Sequence, residues 1–217
     1  MERTVLSMNS NAVQTFLDNN CFIFHSDYGK KGVALTTAQR LKNQITNPEQ
    51  VKEFQNINLY TGKDNVGDID LDCEQALELA DFFLPAAGIE FGRESTPRSH
   101  RLYKILDLNK DHTRSAFIFR SSDKDNTLVE FRANNHYTMC GGLYDNNEKV
   151  VHTKLSKLTE VTYDQLHKSV AMLACACAIK RKYASDGLRN DYIKLIVSTL
   201  YQYKISKEDC YKIISAA

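Results

Sequence analysis

Long apolar runs are missing from this sequence. No window of its 217 residues approaches the roughly 18 consecutive apolar residues of a membrane helix, so no membrane-spanning helix is expected. The first residues, MERTVLSMNS, offer neither a basic flank nor an apolar stretch, so a secretory leader is not expected. An excess of one charge is missing too. The 28 Lys and Arg nearly balance the 27 Asp and Glu, leaving +1. That balance argues against broad, nonspecific coating of DNA. It leaves room for a specific nucleic-acid enzyme, in which metal-binding acids offset local basic patches.

Metal-ligand spacing is absent among the cysteines. Cys21, Cys73, Cys140, Cys175, Cys177 and Cys210 are scattered, and the one close pair sits in the small-residue run ACACA. A zinc site needs C-x2-C pairs with matching partners, so all six are expected to be reduced and mostly buried. No P-loop and no nucleophile-elbow glycine pattern occur, which makes Walker-type ATP hydrolysis and Ser/His/Asp chemistry poor readings. Internal repeats and low-complexity linkers are likewise missing.

What is present begins as alternating elements. Residues 10–19 place Ala12, Val13, Phe16 and Leu17 at helical spacing. A short strand, CFIFH, follows, and then a loop with Lys30, Lys31 and Gly32. Residues 36–54 are helical in period and interrupted at Asn47-Pro48, where Pro can start a new helix. NINLYTG reads as strand and turn. VGDIDLD alternates apolar and acidic residues, as a strand with one wet face does. Residues 73–84 give the clearest helix of the first half, ended by Pro85. Segments 99–107, 115–120, 126–132 and 136–140 read as strands between turn-rich stretches such as SSDKDN. From Tyr163 onward the pattern is helical, with breaks at Ser185-Asp186-Gly187 and near Ile205-Ser206. The expected organisation is an α/β or α+β domain over residues 1–160 and a small helical unit over 161–217.

Asp68, Asp70 and Asp72 are each two residues apart, so on a strand they project from one face. Clustered carboxylates repel unless a cation or protons relieve them. Mg²⁺ is commonly held by a few carboxylates plus substrate phosphates, and two such ions roughly 4 Å apart can activate a hydroxyl and stabilise a leaving group. Glu130, in LVEFR, is a further acid on a strand. The plainer reading makes these surface acids, with Asp72 capping the next helix. Between the acids lies FGRESTPRSH, which gathers Arg93, Ser95, Thr96, Arg98, Ser99 and His100. Arg grips phosphate with a fork, hydroxyls add single hydrogen bonds, and His can touch a terminal phosphate or deliver a proton. The plainer reading is a polar turn entering a strand. His25 and His152 lack matched partners and read as structural.

The order acid-x-acid, then Ser-His, then a strand acid resembles the archaeo-eukaryotic primase superfamily. The chain is most similar to the primase-polymerase domains of phage, plasmid and mobile-element replication proteins. NINLYTG, IDLDCEQALELADFFLP with FGRESTPRSHRLYK, and TLVEFRANNHYTMCGG carry the likeness. SDGLRNDYIKLIVSTLYQYKISKEDCYKIISAA, with Arg189, Asn190 and Asp191, resembles the small helical segment that often follows such domains and leads to a helicase.

The resemblance implies an RRM-like catalytic core in an α+β chain, with Mg²⁺ or Mn²⁺ as cofactor. Asp70, Asp72 and Glu130 match the metal-binding acids, with Asp68 and Asp70 as an alternative register. Ser99 and His100 match the nucleotide-phosphate motif, helped by Arg93, Ser95 and Arg98. It also implies a single-stranded DNA template, a primer strand, dNTP or NTP, a possible helicase domain or partner, and a cytoplasmic setting (the host's, if phage-encoded). One departure is CGGLYDNNE, where Tyr144 stands near an expected His. Two other readings compete: a non-catalytic replication initiator or DNA-binding module, and a metal-dependent nuclease.

Overall fold

The computed structural model describes residues 10–27, 35–51, 55–109, 112, 116–121, 127–144, 146–183 and 187–217. The Lys30, Lys31 and Gly32 loop, most of SSDKDN, and Ser185 with Asp186 lie outside the described residues. In chain order the first elements are α1 (Ser10–Asp18), β1 (Ile23–Asp27), α2 (Thr37–Lys42), β2 (Gln55–Tyr60), β3 (Val66–Leu71) and α3 (Glu74–Phe83). Then come β4 (Ile89–Arg93), β5 (Thr96–Ile105), β6 (Ala116–Arg120), β7 (Thr127–Arg132) and β8 (Tyr137–Gly141). The last are β9 (Val150–Leu155), β10 (Thr159–Val161), α4 (Tyr163–Arg181), α5 (Arg189–Gln202) and α6 (Lys207–Ala216). The fold is α+β. Among the described residues no helix is long and apolar enough to cross a membrane.

Two sheets organise the strands. One runs β1-β2-β8, and the other runs β6-β7-β3-β5-β4-β9 with β10 beside β5. The pairs β1–β2, β2–β8, β3–β5, β4–β5 and β4–β9 are antiparallel, and β10 joins β5 in parallel. In the register of β3 on β5, Asp70 faces His100 and Asp68 faces Leu102.

Three sequence expectations need correction. β3 has no wet face: all six of its residues are buried, because it lies inside the larger sheet between β7 and β5. FGRESTPRSH is not a loop but a hairpin, with β4 ending at Arg93 and β5 starting at Thr96. Gly92 permits this close return, since a Cβ there would run into the Thr96 carbonyl and the Ser99 hydroxyl. The helical period read over 36–54, with its interruption at Asn47-Pro48, is realised as α2, which ends earlier than the period suggests, and as a 3-10 turn that Pro48 starts at Pro48–Gln50; residues 52–54 lie outside the described residues. The chain leaves α2 at Asn43, and buried Ile45 donates its N–H to the Ile23 carbonyl, so burial at the sheet outweighs helical periodicity.

The chain forms two compact units that interleave along the sequence, whereas the expected division at 160/161 follows chain order. The first comprises Met1–Asp70, Ala86–Phe117 and Phe131–Tyr163. Its core joins Val13 and Phe16 of α1 to Ile23, Ile57, Leu59, Val66, Ile89, Phe91 and Leu102. The three-to-four-residue spacing of Ala12, Val13 and Phe16 puts them on the buried side of α1.

The second unit comprises Leu71–Pro85, Ile118–Glu130 and Asp164–Ala217. Here Lys180 of α4 meets Glu78 of α3 at 2.7 Å, and Arg181 donates to Gln75 at 3.2 Å. Lys212 of α6 lies 5.6 Å from the Phe82 ring and 5.4 Å from that of Phe83. Ser206 caps α6 by accepting from the Asp209 N–H. All six cysteines are free; Cys21, Cys140 and Cys177 are buried and the other three half-buried. A hydrogen bond from Cys177, with help from Arg181, overcomes burial and brings the Cys73 thiol down to about 6.

Candidate metal centre and its polar surround

β3 carries Asp68 and Asp70 on one face, and the strand ends just before Asp72. Asp72 does not cap α3, whose N-cap is Cys73; its own N–H donates to the Leu128 carbonyl. β7 carries Glu130 and Arg132, again two apart and therefore on one face. Asp70, Asp72 and Glu130 each offer an oxygen, and these oxygens lie within 4.8 Å of one another. Asp70 is buried, Glu130 half-buried and Asp72 exposed. Three carboxylate oxygens are hard donors, and this group could hold a metal ion.

Asp68 stands apart from that group. Its side chain is fully buried, and the Thr138 hydroxyl donates to its Oδ2 at 2.6 Å. His100 Nδ1 lies 3.1 Å from the same oxygen, and Arg132 Nη1 lies 3.6 Å away. Arg132 also donates to Thr138 Oγ1 at 3.1 Å, and its Nη2 meets Asp70 Oδ2 at 2.5 Å. His100 Nδ1 is 3.7 Å from Asp70 Oδ1. Two carboxylates therefore share one guanidinium and one imidazole, and the buried charges are mutually relieved. Burial alone would raise the Asp68 pKa; His100, Arg132 and Thr138 prevail and hold it below the ordinary carboxylate value. Burial would lower the His100 pKa; Asp70 and Asp68 prevail and hold it raised. The Phe91 ring stacks on His100, centroids 4.8 Å apart and planes at 17°.

The other hairpin residues are engaged elsewhere. Arg98 forks onto Glu90, at 2.8 Å through Nε and 3.4 Å through Nη2. Arg93 lies over the Tyr144 ring, 4.3 Å from its centroid. Ser95 donates its N–H to Glu148 Oε1 at 2.8 Å, and Ser99 is buried beside Gly92. Of the five candidate phosphate contacts, His100 is the one set among the acids of β3. Tyr144, the departure noted in the sequence, has Arg93 as its partner.

No family model matches this chain, and no curated protein does.

Sequence reasoning missed Arg132 and Thr138. Arg132 had a local signal, since its spacing from Glu130 puts both on one face of β7. Thr138 had none, because it approaches Asp68 from β8, a strand of the other sheet.

Proposed function

We propose that this protein is a primase-polymerase of the archaeo-eukaryotic primase type, built on an RRM-like core. In this reading it transfers a nucleotide from dNTP or NTP to a 3′-hydroxyl on a single-stranded DNA template. The observation that carries the proposal is the convergence of Asp70, Asp72 and Glu130, which brings an acid distant in the chain to the acid-x-acid pair. Those three residues would hold Mg²⁺ or Mn²⁺. When bound, the metal would activate the attacking hydroxyl and neutralise charge on the leaving pyrophosphate. Arg132 holds Asp70 by one oxygen and so limits the rotation of its carboxylate. His100 is the contact proposed for the triphosphate. Arg98 and Arg93 would add to it only by leaving Glu90 and Tyr144. A helicase domain or partner belongs to the same proposal.

The test is extension of a labelled primer, and de novo synthesis, on single-stranded DNA with each nucleotide class and each metal. Asp70→Ala and Glu130→Ala should abolish extension while far-UV circular dichroism stays unchanged. Incorporation at the wild-type rate by Asp70→Ala overturns the assignment of the site. Shortening of the primer would replace synthesis with nuclease chemistry.

A further inference from the structure

We infer that Asp68 is a positioning residue for His100 and not a further carboxylate for a cation: it holds the Nδ1–H of the ring and leaves Nε2 for a ligand. The identity of that ligand, a nucleoside triphosphate, rests on the proposed nucleotidyl transfer; the placement of the ring does not.

Hydrogen-bond direction settles the role of the Asp68 carboxylate. Arg132 can only donate, so Thr138 Oγ1 accepts from it. The Thr138 hydroxyl proton is then directed to Asp68 Oδ2, making that oxygen an acceptor. His100 Nδ1 approaches the same oxygen at 3.1 Å, and Oδ1 at 3.3 Å, so Nδ1 carries the hydrogen. Nε2 has no hydrogen-bond partner among the described residues. The ring is fixed on a second side by the Phe91 stack. A side chain fully buried, with donors on its carboxylate from β5, β7 and β8, has little left to offer an ion. Asp70, by contrast, is tied to Arg132 through Oδ2 and belongs to the carboxylate group. The two aspartates share a strand face and do different work. A carboxylate behind an imidazole sets which nitrogen bears the proton and how the ring is turned.

Two measurements without nucleotide decide the matter. Long-range ¹H–¹⁵N spectra, with the ring assigned through His100→Gln, read the two ring nitrogens. The wild type should show a hydrogen on Nδ1, held by Asp68, and one on Nε2, which a phosphate oxygen can accept; Asp68→Asn should lose the Nδ1 hydrogen. Titration with Mn²⁺ alone should give Asp68→Asn an affinity within about twofold of wild type. For Asp70→Asn it should weaken by about tenfold or more. An unchanged ring spectrum in Asp68→Asn overturns the inference, as does a loss of Mn²⁺ affinity equal to that of Asp70→Asn. If Asp68→Asn does not fold, Thr138→Val is read the same way. It should move the ring in the same direction, Thr138→Ser should restore it, and no movement overturns the role of Asp68.

In extension assays Asp68→Asn should raise the nucleotide KM about tenfold and leave kcat nearly unchanged. A wild-type protein that makes no product would end the nucleotidyl-transfer reading. The ring spectrum and the Mn²⁺ titration would still decide the role of Asp68.

Discussion

In the first unit, Asp68 is fully buried and its carboxylate is shared by Thr138, His100 and Arg132. In the second, Asp191 and Lys194 meet at 3.3 Å on α5, their side chains 79% and 77% exposed. Both set a carboxylate against a basic side chain, and their surroundings set the consequence. Water screens the helix pair and competes for each partner, so little depends on it. The buried set has little water to fall back on, with the Arg132 and Asp70 side chains only 14% and 11% exposed. Asp68 and Asp70 both depend on Arg132 and His100 there, and losing one of those partners strands a charge. The sheet interior is therefore where polar residues are held at fixed distances, which is what a site for an ion and an anionic ligand requires.

Three measurements test the comparison, in falling order of expected effect. Arg132→Leu strands Asp68 and Asp70 together. It should cost about 3–5 kcal/mol in urea unfolding with an unchanged denaturant slope. A loss below about 1 kcal/mol would put the buried set in the class of surface pairs.

The second concerns pH. His152 is buried, donates Nε2–H to the Cys140 carbonyl at 2.9 Å, and sits near the Phe16 and Phe91 rings. Burial pushes its pKa below the ordinary 6.5, against the opposing pull of the Cys140 carbonyl. The unfolded chain then binds the proton more readily than the folded one. The stability due to neutral His152 is complete above about pH 6.5 and is lost as pH falls through the folded value. Between pH 7.5 and 5, His152→Gln should lose less stability than wild type; parallel curves would remove His152 from the ledger of acid sensitivity. The smallest effect is expected on the helix. Lys194→Gln should shift stability by no more than about 0.5 kcal/mol. A larger loss would mean that α5 depends on the pair.

Much of this was legible from local pattern. Helical spacing placed α1 and α3, the alternation of VGDIDLD gave β3, and Ser206 marked the start of α6. The two-residue spacing of Asp68 and Asp70 put them on one face, and Glu130 was recognised as a strand acid. What local pattern misjudged was environment. The alternation of β3 read as half-wet because period two reports which residues share a face; it does not report what covers that face. FGRESTPRSH read as an open phosphate loop because Ser, Thr, Pro and Arg are turn-rich. Pairing of Phe91 with His100 across the hairpin made it two strands, and Glu90 took Arg98. Thr138 left no trace in the sequence near Asp68, since nothing in the pattern of β8 names the residue it will meet.

By itself the sequence determined the period of each element, and with it which acids share a face and where helices begin. Those are properties of a few neighbouring residues, set by backbone geometry and capping. Only the tertiary structure decided that Glu130 meets Asp70 and Asp72, and that Asp68 is kept from them by Thr138, His100 and Arg132. The physical reason is that carboxylates of equal intrinsic chemistry differ through burial and through the donors brought to them. Strand order across the sheets supplies both.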